Sequence, residues 1–277
     1  MEWWHAILFG VIEGVTEFLP VSSTGHLTIT EKLLGYQIDD PSVTAFTAII
    51  QVGAVLATVL YLRRDIWRVG VAWLRGLIDG TQRRRDYKFG WAVIVGSIPI
   101  AIIGLLFKDE IEGVLRSLWF VAGALILWSA VMWYADRVAT QERHEKDTTW
   151  KDTLIIGVAQ CLALIPGVSR SGATMSAGLL RGFDRVTVTR LSFFLSIPAL
   201  VAAAILQTVT QFQKIEHGVG WGPTILATVV SFAVAYVAVA WLLKFIARHD
   251  YSIFIWYRVG LGLLLIVLLS AGVISPV

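Results

Sequence analysis

The sequence predicts an all-α integral membrane protein in which six spanning helices and two re-entrant helix-loop-helix hairpins form an inverted-topology repeat. Three observations predict it. The 277-residue chain is 56% hydrophobic and 16% charged, with a mean hydropathy of +0.71, far more apolar than a soluble domain of that length. Residues 10–26 and 157–173 align without a gap, so that Gly10 meets Gly157, Glu13 meets Gln160, Ser22 meets Ser169, Ser23 meets Arg170 and Gly25 meets Gly172; this is an internal repeat. Each copy also sets a Pro, a Gly and several hydroxyls into otherwise apolar chain, and polar clusters inside a membrane mark functional sites.

Taken in order, the N-terminal Met1-Glu2-Trp3-Trp4-His5 lacks a positive n-region and a small-residue cleavage site, so no cleavable signal is expected. Trp3 and Trp4 read as anchors at headgroup level. Residues 5–36 are apolar but broken at Pro20, which removes a backbone hydrogen bond and ends one helix, while the hydroxyls after it can cap a second. Uncharged spans follow at 43–62, 90–107 and 118–135, each long enough to cross about 30 Å of hydrocarbon. After a polar linker at 136–152 the broken pattern returns in 153–182, at Pro166-Gly167, and spans follow at 191–210, 223–243 and 253–272. Residues 1–277 thus read as one membrane domain, with repeat one at 1–135, the linker, and repeat two at 153–277. The last span carries the one intramembrane charge outside the broken segments, Arg258, read as snorkelling or pairing helices. Cys161 is the only cysteine, which excludes an intrachain disulfide and leaves it a packing role.

Loop charge sets the orientation. Residues 63–89 carry eight basic side chains against three acids, while 108–116 carries Lys108 and Arg116 against Asp109, Glu110 and Glu112. The first loop is then cytoplasmic, the second outside, and both termini outside. The net charge of +3 and pI near 9.1 come from such loops rather than from one polar face, so no nucleic-acid partner is expected. Trp67, Val71, Leu74 and Ile78 recur at helical spacing between arginines and predict a helix lying on the inner surface. Three spans per half is an odd number, so the second half lies upside down and the two broken segments, entering from opposite sides, can meet near the midplane. Their loops must line a cavity, because irregular backbone at that depth needs protein or water around it. The Gly10 to Gly14 G-x-x-x-G can pack helices within the chain or between the chains of a homodimer.

Glu13 and Glu17 share one helix face among Val11, Ile12, Val15, Phe18 and Leu19. Two buried carboxylates call for an Arg or a hard cation such as Mg²⁺ or Ca²⁺. Ser22, Ser23, Thr24 and Gly25 open the next half-helix, whose N-terminus favours an anion, and His26 beside them is a candidate acid, base or imidazolium. The second break supplies Ser169, Arg170, Ser171, Gly172 and Thr174; an Arg between two serines at a helix start reads as a phosphate clamp. Phosphoryl transfer uses all of these groups, because its transition state spreads negative charge that donors and a cation can stabilise. A transporter or flippase for an anionic lipid shares the broken helices and inverted halves, but has less use for a Glu pair beside Ser and His.

On these residues the chain resembles the undecaprenyl pyrophosphate phosphatase family of bacterial inner membranes, the bacitracin-resistance type. E-x-x-x-E followed by F-L-P-V-S-S-T-G-H stands at Glu13 to His26, and P-G-x-S-R-S-x-x-T at Pro166 to Thr174. The resemblance covers nearly the whole chain. It implies hydrolysis of undecaprenyl pyrophosphate to the monophosphate carrier reused in peptidoglycan synthesis, with a divalent cation. It also implies Glu13 and Glu17 in metal handling or acid/base work, His26 in proton transfer or attack, and Arg170, Ser169 and Thr174 on the phosphates. It favours Ser23 as nucleophile, while Ser22, His26 and water stay open. Membrane lipids are the surroundings, and the outward-opening first hairpin predicts hydrolysis on the periplasmic side. The type-2 phosphatidic acid phosphatases share a Ser-Gly-His run, but their Lys, Arg and Asp companions are missing here.

Overall fold

The computed structural model describes residues 1–38, 40–107 and 117–276, and is helical with no strand among the described residues. The predicted outer loop at 108–116 lies outside the described residues. Twelve α-helices run in order among them: α1 Trp3–Thr16, α2 Ser23–Leu33, α3 Pro41–Tyr61, α4 Arg63–Ile78, α5 Arg85–Leu106, α6 Leu118–Val138, α7 Trp150–Gln160, α8 Arg170–Leu180, α9 Arg185–Thr210, α10 Phe212–His217, α11 Trp221–Ile246 and α12 Ser252–Ser270. Six of these, α3, α5, α6, α9, α11 and α12, are long and apolar enough to cross a membrane. They match the six predicted spans, although α5 and α9 begin earlier, at Arg85 and Arg185, because polar first turns extend them. The chain is a multi-pass membrane protein.

The broken segments form two short helix pairs, α1 with α2 and α7 with α8, and no member has the 18 residues a span needs. α1 stops at Thr16, four residues before Pro20, where the Pro ring would meet the Thr16 carbonyl. α7 tightens into a 3₁₀ turn at Cys161–Leu164 before Pro166. Each pair seats its first helix on a span from the other half of the chain. α1 lies on α11 and α7 lies on α5, at residues with no Cβ to obstruct them. A Cβ on Gly10 would stand 2.5 Å from the Ala227 carbonyl, one on Gly14 2.7 Å from that of Ser231, and one on Gly157 1.9 Å from that of Gly96. The G-x-x-x-G face is therefore used inside the chain, against α11.

The linker is pinned rather than loose. Arg143 and Arg181 both bond the buried Asp152 carboxylate, at 2.7 and 2.9 Å, while Thr149 donates to it at 2.6 Å. Burial opposes charge on Asp152, but the bonds from Arg143, Thr149 and Arg181 outweigh it and hold the carboxyl well below the ordinary range. Arg190 reaches Asp65 at 2.9 Å and Glu145 at 3.0 Å, tying α9 to α4 and to the linker.

Candidate active site

The two breaks adopt one backbone solution. Ser22 and Ser169 both sit at φ 76°, a left-handed setting unusual for a residue with a side chain. Each precedes a helix and caps it: the Ser22 hydroxyl accepts from the Gly25 N–H at 3.3 Å, and the Ser169 hydroxyl from the Gly172 N–H at 3.2 Å. Positions paired by the repeat thus share dihedral, cap and role. The opening N–H groups of a helix lack intrahelical partners, so the starts of α2 and α8 offer donors suited to an anion.

Side chains cross between the breaks. Arg170 pairs with the Glu17 carboxylate, and the Ser171 hydroxyl donates to the Leu19 carbonyl at 2.8 Å. On the other oxygen of Glu17, the Ser23 hydroxyl donates at 2.6 Å. A cavity of about 100 Å³ lies here, lined from the first break by Glu17, Ser22, Ser23 and Thr24, and from the second by Pro166, Gly167, Ser169 and Arg170. A water occupies about 30 Å³ in the liquid, so this is room for a phosphate group rather than for a whole lipid.

Other predicted residues fall outside the cavity wall. Glu13 is fully buried and neither carboxylate oxygen has a hydrogen-bond partner among the described residues. Gln160, its counterpart in the repeat, is equally buried and equally unpartnered. Two orphaned oxygens with Glu17 one turn away fit a hard cation. The Glu17 oxygens are engaged by Ser23 and Arg170, and no group of three or more His, Cys, Asp or Glu stands ready for a metal among the described residues. An ion of the Mg²⁺ kind would have to displace those bonds to Glu17 and complete its shell with water and phosphate. Thr174 was expected on the phosphates; instead its hydroxyl bonds the Arg170 and Ser171 carbonyls and, at 2.7 Å, Ser192. One turn into α8, it is occupied in packing. Ser171 serves the contact between breaks, and Gly25 the cap.

His26 is held from both sides. Its Nδ1 lies 2.7 Å from the Ser22 carbonyl and its Nε2 2.6 Å from the Tyr257 hydroxyl, with the two rings stacked. A carbonyl only accepts, so Nδ1 carries the proton; at Nε2 a neutral ring accepts from the Tyr257 hydroxyl and an imidazolium donates to it. The ring therefore fixes the backbone of the Ser22 turn and does not itself line the cavity.

Two participants were not singled out from sequence, and a third was read only in part. Gln51 of α3 lines the cavity, and Tyr257 holds His26. Arg258, expected to snorkel or to pair helices, does the second: its bonds to Leu125 and Ser129 tie α12 to α6. It does not snorkel: it is fully buried, and it donates to the Gly167 carbonyl at 2.8 Å, the Ser129 hydroxyl at 3.2 Å, the Pro20 carbonyl at 3.4 Å and the Leu125 carbonyl at 3.5 Å. One guanidinium thus clasps both breaks from behind, with no acidic ion-pair partner among the described residues. The signal available in sequence was only a charge in an apolar span.

Comparison with known proteins places the chain in a family. The family described as bacitracin resistance protein BacA matches residues 6–264. The chain is similar to undecaprenyl-diphosphatase 3 of Frankia casuarinae, 69% identical over 272 residues that cover 98% of each protein. It is also similar to the undecaprenyl-diphosphatase of Cutibacterium acnes, 56% identical over 99% of this chain and 100% of the relative. A Mycobacterium undecaprenyl-diphosphatase is 47% identical over the full length of both.

Proposed function

The chain belongs to the bacitracin resistance protein BacA family, and from that premise we propose that it is an undecaprenyl-diphosphatase, a phosphatase that converts undecaprenyl pyrophosphate to undecaprenyl phosphate and inorganic phosphate and so recycles the lipid carrier. The observation that carries the chemistry is Glu17, whose two oxygens engage Ser23 from its own break and Arg170 from the other. A hydroxyl held on a carboxylate at 2.6 Å is a nucleophile and base pair.

In this reading the terminal phosphate enters between Arg170 and the N–H groups that open α2 and α8. The Ser23 oxygen bonds the terminal phosphorus, its proton passes to Glu17, and the bond from that phosphorus to the bridging oxygen breaks. Undecaprenyl phosphate leaves. Glu17 gives up that first proton to the departing phosphate; water then cleaves the phosphoserine, Glu17 taking a proton from the water and returning it to the Ser23 oxygen, so that inorganic phosphate is released with Ser23 restored. Arg170 and the helix N-termini meet the negative charge that develops in both steps. Glu13, with Glu17, would hold a divalent cation, Mg²⁺ or Ca²⁺, which neutralises phosphate charge when bound. His26 positions the Ser22 turn through its Nδ1–H.

We read the two short helix pairs as re-entrant hairpins and the halves as an inverted repeat; the matched Ser22 and Ser169 turns and the reciprocal seating of α1 on α11 and α7 on α5 support this. The basic 63–89 loop supports a cytoplasmic placement for α4 in the bacterial inner membrane, with the cavity reached from the periplasmic side. Purified protein in detergent tests the reaction: with a radiolabelled terminal phosphate, acid quench should trap label on Ser23 and release inorganic phosphate. Turnover without label on the protein, persisting in Ser23→Ala, would replace serine attack with water attack.

A further inference from the structure

Two adjoining cavities lie far from the Glu17 site in sequence, between α4, the 79–84 turn and the start of α5. The larger, about 720 Å³, is lined by Trp67, Val71 and Ala72 together with Arg68, Arg75, Arg84 and Arg85. The smaller, about 300 Å³, shares Arg84 and Arg85 and adds Lys88 and Lys146. Only Asp86 and Glu145 oppose these six basic groups on the cavity walls.

The walls are built rather than casual. A Cβ on Gly76 would stand 2.3 Å from the Tyr87 ring, so Gly lets α4 turn back closely onto α5. Arg83 closes the turn by donating to the Gly76 carbonyl at 3.0 Å and lying over Tyr87. Trp73 packs edge-on against Trp91 beneath. The two acids are already engaged: Asp86 pairs with Arg68, and Glu145 with Arg68, Arg85 and Arg190. Arg75 and Arg84 have no carboxylate partner among the described residues. Beside them, Trp67, Leu74 and Ile78 of α4 are 76%, 56% and 90% exposed, an apolar edge with nothing of this chain over it.

We propose that this basin binds the phosphate headgroup of an anionic phospholipid, with Arg75 and Arg84 on the phosphate and the acyl chains against Trp67, Leu74 and Ile78. Paired arginines recognise phosphate oxygens. An interfacial helix with a basic face and an apolar one takes its lipid in this way. The apolar edge of Trp67, Leu74 and Ile78 adjoins the basic basin on the membrane-lying helix, so a lipid, whose headgroup and chains are joined, is the occupant that uses both features. The site is separate from the hydrolytic one, and the cytoplasmic leaflet is its location if the proposed orientation holds.

The test is thermal unfolding of the purified full-length protein in detergent, titrated with phosphatidylglycerol, phosphatidylcholine or inorganic phosphate. Arg75→Gln/Arg84→Gln is compared with Arg63→Gln/Arg64→Gln, which removes the same charge from the same helix region outside the cavity. Phosphatidylglycerol should raise Tm saturably in the wild type and the control, while the Arg75/Arg84 variant should need about tenfold more lipid. Phosphatidylcholine and phosphate should have no comparable effect. Phosphate release from polyprenyl pyrophosphate, near the wild-type rate in both variants, confirms that they fold. Equal lipid dependence in the two variants, or a full shift with inorganic phosphate alone, would overturn the proposal.

Discussion

The two breaks share a backbone and differ in chemistry. Both turn through a serine at φ 76° that caps the next helix, yet the first carries Glu13, Glu17 and Ser23 where the second carries Gln160, Leu164 and Arg170. In the proposed reaction the repeated turn supplies two helix starts for the phosphate, and divergence of the side chains makes one copy the acid and nucleophile half and the other the cationic half. The comparison teaches that the geometry is duplicated while the reaction is not: neither break has the groups for phosphoryl transfer alone.

The largest effect should come from removing the group that distinguishes each half. Ser23→Ala, Glu17→Gln and Arg170→Ala should each lower kcat/KM about 10³-fold or more, read by phosphate release from folded protein; a rate near wild type in any one would break the division of labour. Next is the clasp common to both halves. Arg258→Met leaves the Pro20 and Gly167 carbonyls without their donor, and misplacement of both breaks should cost roughly 10²-fold in kcat. Arg258→Lys, which keeps the charge and some donors, should recover part of kcat. Equal loss in both would reduce Arg258 to packing.

Exchanging the paired positions sharpens the comparison. Glu13→Gln makes the first break resemble the second, and should lower turnover and weaken its dependence on added Mg²⁺ or Ca²⁺. Gln160→Glu makes the reverse change, and should leave turnover near wild type while lowering Tm, because a buried carboxylate without a partner costs several kcal/mol. Turnover falling equally in the two would show that the copies contribute alike.

The smallest effect concerns Asp152, which anchors the second half only. Its partners Arg143 and Arg181 are 30% and 41% exposed, so Asp152→Asn should cost about 1–2 kcal/mol rather than the full value of a buried pair. Its folded pKa lies below the unfolded value, so this stabilisation is complete above about pH 4 and is lost as pH falls through the folded value. Wild-type Tm should therefore fall more steeply than that of Asp152→Asn on acidification below about pH 4; parallel curves would remove Asp152 from that role.

Much of this was legible in the chain, for physical reasons that differ by residue. The spans announce themselves because the bilayer demands long apolar helices, and the breaks at Pro20 and Pro166 because hydroxyls and a Gly follow each proline and can open a new helix, whereas Pro99 and Pro198 are carried inside α5 and α9. Glu17 and Arg170 stand out as charges too costly to bury singly. Local pattern does not report what depends on tertiary approach. Arg258 read as snorkelling or pairing helices, and its hold on both breaks was hidden because its acceptors, Pro20, Leu125, Ser129 and Gly167, are distant in sequence. Tyr257 meets His26 across 231 positions. Thr174 belonged to a motif, but one further helical turn takes its hydroxyl to Ser192. Thus motif membership located the neighbourhood of the site, and helix phase decided which members reach it.

The central claim is that Glu17 and Arg170, one from each break, act on the same phosphate. A double-mutant cycle in kcat/KM with Glu17→Gln, Arg170→Gln and the pair measures it directly. The account predicts a coupling of about 2 kcal/mol or more, the double variant being far less impaired than the product of the single effects. Effects that add within about 0.5 kcal/mol would mean that the two breaks work independently, and would contradict it.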